Sequence, residues 1–289
     1  MPKAVINGIN MHYQYGGQGP TIVLVHGLAT NLAFWYLAVF SVLRKNYRVI
    51  VYDLRGHGYS DMPPHGYTSA DQAVDLDALL DHLEVERAHI VGHSFGGAVA
   101  SHYAVLHPER VESLTLADAR VPALQPAKPM KAWPYWKTWE KKLRELGVSI
   151  SGDEMEMGLP LLEELAEMKR PRRKQRRKQV GIKKHFLPFQ AWNGNKQTAE
   201  KWRLLLHTTT AREDVKAIAG LTPEALRRVN HPTLAIFGER SRWLPTCRTL
   251  QEILPDCRVN VVPGVGHFHP LLKPGVFLRS LQEFLSAQK

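Results

Sequence analysis

The sequence predicts an α/β fold, a mostly parallel sheet with helices on both faces, interrupted by a helical insertion. Three observations lead there. Short continuous apolar runs alternate with amphipathic stretches over residues 1–120, and the same alternation resumes at 229. Strands that alternate with helices build a parallel sheet covered on both sides. Between them, residues 121–228 have helical patterning, no clear strand and a different charge balance.

Taken in order, "MHYQYGGQGP" reads as a strand followed by a Gly-rich turn. "TIVLVHG" is a continuous apolar run ending at Gly27, as expected of a strand buried on both faces. "AFWYLAVFSVL" carries helical spacing, and "YRVIVYDLRGHG" is another buried strand running into a polar loop. "SADQAVDLDALLDHL" predicts a helix with Ser69 as N-cap and an apolar stripe at Ala73, Leu76, Leu79, Leu80 and Leu83. "AHIVGHS" is the next strand, "GGAVASHYAVLHP" a helix stopped by Pro108, and "VESLTLADA" a further strand. The pattern breaks at Val121, where "PALQPAKP" reads as a linker. Helical stretches follow: "KAWPYWKTWEKKLREL", "LPLLEELAEM" and "AEKWRLLLH". Strands return with "PTLAIFGE" and "CRVNVVPGVGHF", and "VFLRSLQEFLSAQ" closes the chain as a helix. The expected organisation is therefore a core over 1–120 and 229–289 with a helical cap over 121–228.

Composition narrows the function classes. At 289 residues and 44% hydrophobic, the chain can bury a sizeable core. No apolar run has bilayer-spanning length, and "MPKAVINGINMHY" lacks a secretory pattern. Two cysteines, Cys247 and Cys257, form no disulfide framework, which favours a reducing, cytoplasmic setting. No His/Cys cluster has metal-ligand spacing, and no cofactor motif is present, so neither metal nor cofactor is expected. The net charge of +11 is localised: residues 121–228 hold 23 Lys/Arg against 12 Asp/Glu, and the rest of the chain holds 15 of each.

The chemistry centres on Gly92-His93-Ser94-Phe95-Gly96, a G-x-S-x-G pattern between a strand and a helix. A turn this sharp strains the serine backbone and leaves room only for glycine two residues before and after it. It lifts the hydroxyl above the sheet and sets a helix N-terminus beneath developing negative charge. Here the chain resembles the α/β-hydrolase fold family. "VLVHGLATNLAFW", "VIVYDLRGHGYSD", "VGHSFGG" and "VPGVGHFHPLLKP" match its oxyanion loop, the loop after its next strand, its nucleophile elbow and its histidine loop, in family order.

The resemblance implies Ser94 as nucleophile and His267, in Gly264-Val265-Gly266-His267, as the base that takes and returns its proton. It implies an oxyanion hole made by the backbone N–H groups of Phe95 and Leu28. Loop packing or support of other groups is implied for His26, His57 and His93, and His269 is placed as a pocket-lining candidate. The third member departs from the pattern. The family's usual acid lies three residues after a glycine that is followed at seven by proline; Gly238 and Pro245 keep that register, but position 241 is Ser. Two carboxylates can substitute. Asp118 ends the strand one beyond the elbow, where several haloalkane dehalogenases and the thioesterase domains of polyketide and peptide synthases place their acid. Glu239 lies two residues early and requires a changed loop. Asp118 is the preferred assignment.

A serine nucleophile implies an acyl-enzyme, hence an ester, thioester or related carbonyl substrate. Epoxide hydrolases and dehalogenases of this fold use Asp at the nucleophile position, so their chemistry is not expected. Trp133, Trp136, Trp139, Trp192 and Trp202 can line an apolar acyl pocket or hold the cap helices together. Residues 169–178, "KRPRRKQRRK", carry eight basic residues in ten. That run suits an acidic protein partner, such as an acyl carrier protein, or an anionic membrane surface; nucleic acid is disfavoured because no binding motif accompanies it. Two rival functions stand beside the esterase or thioesterase: a carbon–carbon bond hydrolase of the same fold, and a catalytically idle binding protein, which Ser241 favours.

Overall fold

In the computed structural model, described for residues 2–125, 128–145, 148–153 and 196–288, the chain forms an eight-stranded sheet. The strands are β1 (Lys3–Ile6), β2 (Ile9–Gly16), β3 (Thr21–Val25), β4 (Arg48–Tyr52), β5 (Ala88–His93), β6 (Val111–Ala117), β7 (Thr233–Gly238) and β8 (Cys257–Val262). Their spatial order is β1-β2-β4-β3-β5-β6-β7-β8. β1 and β2 pair antiparallel, β2 runs antiparallel to β4, and every later neighbour is parallel. The mostly parallel sheet expected from the alternation is the one formed. Its inner strands, β5 and β7, are buried along their whole length, which is why they read as unbroken apolar runs.

One face of the sheet carries Ile22, Leu24, Val49, Val51 and Val91 in a core closed by Trp35, Phe277 and Leu281. Burying each such side chain contributes about 1.5–3 kcal/mol, and the sum holds the strand ends in register where the functional loops emerge.

Helix α1 (Ser69–His82) starts one residue earlier in capping terms than the sequence suggested. The N-cap is Thr68: its hydroxyl accepts from Asp71 N (3.1 Å), and Asp71 Oδ2 accepts from Thr68 N (3.0 Å). Ser69 is instead buried and its hydroxyl bonds His102 Nδ1 at 2.8 Å. The capping box needs its acid three residues on, and Asp71 satisfies that for Thr68 alone. The stretch at 33–43 is helical but opens into a wide π-turn over Tyr36–Phe40, where the Tyr36 and Phe40 rings stack at 4.8 Å.

The chain divides into two compact units, Met1–Gln125 with Thr209–Lys289, and Pro126–Thr208. The second is narrower than the compositional segment 121–228, because residues 209–228 pack with the sheet unit. Arg120 Nη1 donates to Val215 O (2.8 Å), His102 Nε2 donates to Ala219 O (3.1 Å), and Thr210 N donates to Pro64 O (3.0 Å). Within the second unit, the helix Trp136–Glu145 buries Trp136 and Leu143, and Trp133 packs against Tyr135 and Trp139. Trp133 and Trp139 stand ring against ring at 6.0 Å. Trp192 and the basic run 169–178 lie outside the described residues. No helix among the described residues is long and apolar enough to cross a membrane.

Candidate active site

The site assembles where three strand ends meet. The parallel register pairs His93 with Ala117, so the next residues, Ser94 and Asp118, emerge side by side. Ser94 N donates to Ala117 O (3.1 Å), and Asp118 N donates to Ile236 O of β7 (2.8 Å), carrying the ladder one step beyond each strand. Both residues take left-handed backbone conformations, φ 55° at Ser94 and 48° at Asp118. Such conformations cost roughly 1–3 kcal/mol each and persist only where the surroundings impose them.

The elbow shows why glycine is required. A Cβ on Gly92 would stand 2.2 Å from Gly96 O, and one on Gly96 would stand 2.5 Å from the carbonyls of Val25 and His26. Helix α2 (Phe95–Leu106) then starts directly after the serine, with its N-terminus at the hydroxyl's base.

His267 arrives from the loop after β8. That loop lies so close to the end of β7 that a Cβ on Gly238 would meet Gly266 O at 2.5 Å, and Arg240 N donates to Val265 O (2.8 Å). The imidazole donates Nδ1–H to Asp118 Oδ1 (3.1 Å) and accepts the Ser94 hydroxyl proton at Nε2 (2.9 Å). Its ring is flanked by Phe268 at 4.8 Å and His93 at 4.7 Å. His93 donates Nε2–H to the His267 carbonyl (3.0 Å), so the elbow itself holds the histidine loop.

Asp118 is wholly buried. Burial pushes its carboxyl up, but the bond from His267, the nearby His269 and the Gly238 N–H at 2.8 Å outweigh it and hold the group below the ordinary carboxylate range. Glu239, the rival acid, is exposed and accepts from Gly264 N (2.7 Å), bracing the loop rather than meeting the imidazole. Ser241, at the family's usual acid position, donates its hydroxyl to Asp118 Oδ1. Sequence reasoning missed that contact, although the register of Gly238 and Pro245 had already put position 241 at this spot.

Gly27 packs so close to the serine that a Cβ on it would stand 2.8 Å from Ser94 Cβ, Leu28 follows it in the chain, and Phe95 is the first residue of α2. The 26–32 loop is held from below. Asp53 accepts from Leu32 N (2.7 Å), Tyr59 N (2.8 Å) and His12 Nδ1 (2.7 Å), while Leu54 N donates to His26 Nε2 (3.1 Å).

His269 does not line a pocket. It is fully buried, donates Nε2–H to Ile236 O (3.0 Å) and lies 3.8 Å from Asp118 Oδ2, beneath the site. Burial pulls its pKa down to about 4. The unfolded chain binds this proton below about 6.5, and the folded chain resists it until about 4. Stability should therefore fall as pH drops through that window, by on the order of 3 kcal/mol from this residue. Urea midpoints measured across the window should flatten by that amount in His269→Gln.

The α/β hydrolase fold model matches residues 20–274, nearly the whole chain. The chain belongs to the α/β-hydrolase fold family. This α/β hydrolase is 27% identical over 295 residues to the 2-hydroxymuconate semialdehyde hydrolase of a Pseudomonas species, covering 98% of this chain and 93% of that protein. It is 40% identical over 114 residues to an uncharacterized protein of Mycobacterium tuberculosis, a match spanning 39% of this chain and only 33% of that protein. Among solved structures it is similar to Est816, described as an N-acyl homoserine lactone degrading enzyme (TM-score 0.68, 25% identity, 98% of this chain and 100% of that one). Hydrolases of the family with quite different names, including a soluble epoxide hydrolase, are also related to it.

Proposed function

We propose that this α/β hydrolase is a serine hydrolase that cleaves an ester or thioester of a fairly apolar acyl substrate through an acyl-enzyme. The observation that carries the proposal is one unbroken chain of hydrogen bonds: Ser94 Oγ to His267 Nε2 at 2.9 Å, and His267 Nδ1 to Asp118 Oδ1 at 3.1 Å. In this reading Ser94 attacks the carbonyl carbon as His267 takes its proton. The N–H groups of Leu28 and Phe95 receive the oxyanion, and Asp118 holds the imidazole in tautomer and supports its charge. His267 then returns the proton to the departing alkoxide or thiolate. Water, deprotonated by the same histidine, attacks the acyl-enzyme, and Ser94 leaves with its proton restored. Ser94 argues against the Asp-nucleophile chemistry of epoxide hydrolases.

A carbon–carbon bond hydrolase is the second reading, favoured by the full-length similarity to the semialdehyde hydrolase. An acidic partner presenting a thioester, such as an acyl carrier protein, or an anionic membrane surface, would suit the basic run 169–178 in a cytoplasmic enzyme.

A fluorophosphonate probe should attach covalently and once, at Ser94, and the same protein should turn over p-nitrophenyl or acyl-thioester substrates. Failure to label would favour a binding protein over an enzyme, and labelling with turnover of vinylogous diketones alone would favour the carbon–carbon hydrolase.

A further inference from the structure

Ser241 occupies the position where the family pattern places its acid, and it is buried. Its turn is fixed: Ser241 N donates to Gly238 O (2.9 Å), and Trp243 N donates to Ser241 Oγ (3.1 Å). With one lone pair of the hydroxyl engaged by Trp243, its proton is aimed at Asp118 Oδ1, the same oxygen that accepts from His267. The other carboxylate oxygen is held by Gly238 N (2.8 Å). Asp118 thus has three donors, from the end of β7, from the loop after it, and from the imidazole.

We infer that Ser241 is a positioning residue of the triad: its hydroxyl fixes the rotamer of Asp118 and withdraws part of the carboxylate charge that His267 would otherwise feel. The inference rests on the serine-hydrolase reading above. A neutral donor here does what a second carboxylate could not, since two buried acids at this distance would share a proton and leave the imidazolium half supported. Besides the buried thiol of Cys247, which feels the Asp118 charge, the titratable groups facing the pair are His269, beneath Asp118, and His93, against the His267 ring. Burial lowers the pKa of both histidines, and neither changes in the variants below.

The sign of the effect follows. Removing the hydroxyl leaves Oδ1 with the imidazole as its sole donor of the two, so the carboxylate stabilises the imidazolium more strongly. The base then protonates at higher pH. In Ser241→Ala, the acid limb of the kcat/KM–pH profile should move upward by about 0.5–1 pH unit. kcat on the alkaline plateau should fall about 10-fold as Asp118 loses its fixed rotamer. Ser241→Thr, which keeps the hydroxyl, should restore the wild-type limb. If the alanine variant does not fold, Ser241→Cys, a near-isosteric and weaker donor, should give an intermediate upward displacement. An unmoved limb in both Ala and Cys variants would overturn the inference, as would equal losses of kcat in Ala and Thr variants with the limb in place. Fluorophosphonate labelling of the wild-type protein separates the two levels. A wild type that labels alongside an unmoved limb refutes the role of Ser241 alone, whereas a wild type that neither labels nor turns over esters refutes the reading beneath it.

Discussion

Ser94→Ala should reduce kcat for a p-nitrophenyl ester by about 10⁶-fold while leaving KM within a few-fold. The serine contributes little to ground-state binding, since its hydroxyl is already committed to His267 Nε2 at 2.9 Å. What its loss removes is the covalent route, and with it all use of the imidazole as a shuttle. Some rate above background should survive from the proposed oxyanion donors at Leu28 and Phe95 acting on direct water attack. Single-turnover kinetics check this most directly: the burst of alcohol or thiol release should vanish. A loss of only 10-fold would mean that the acyl group is transferred without Ser94.

Asp118→Asn should cost about 10⁴ in kcat, whereas Glu239→Gln should stay within a few-fold of wild type. An amide at 118 presents either a neutral oxygen or an N–H to His267 Nδ1. The second choice forces the wrong tautomer, and neither supports the imidazolium. A single amide oxygen can accept from Gly238 N on one side or from Ser241 Oγ and His267 on the other, not both, so thermal unfolding measured beside kcat distinguishes chemistry from collapse. Gln at 239 retains an oxygen for Gly264 N. Equal, small effects of the two substitutions would remove Asp118 from the mechanism.

Much of this arrangement was legible in the sequence because its causes are local. Gly92 is dictated by contact with Gly96 O inside the elbow, and the buried strands β5 and β7 by their own unbroken apolar runs, whereas Gly96 answers to the carbonyls of Val25 and His26 and was readable only through the elbow pattern. The pairing of Asp118 with His267 spans 149 residues, and that of Ser241 with Asp118 spans 123. No local pattern encodes such distances, and only the family register pointed to positions 118 and 241 at all. His269 was misjudged for the same reason: proximity in sequence to His267 suggested a shared pocket, but the next turn of the chain directs it under the sheet to Ile236 O. Ser69 and Thr68 are both competent caps, and what decides between them is Asp71, whose spacing suits only the second.

The left-handed backbones of Ser94 and Asp118 tie the proposed triad to the architecture of the whole sheet. Neither conformation is one that an isolated loop of these residues would choose. Each is imposed by ladder bonds reaching past the strand ends, Ser94 to Ala117 and Asp118 to Ile236. A collapsed intermediate with β5 and β6 aligned but β7 undocked would hold the nucleophile in place and leave its acid free to relax. Because the chain between β6 and β7 includes the whole of Pro126–Thr208, the contact of Asp118 with Ile236 closes only across that entire stretch of sequence. A chain whose β7 has not docked therefore lacks the backbone bond that fixes Asp118 beside Ser94.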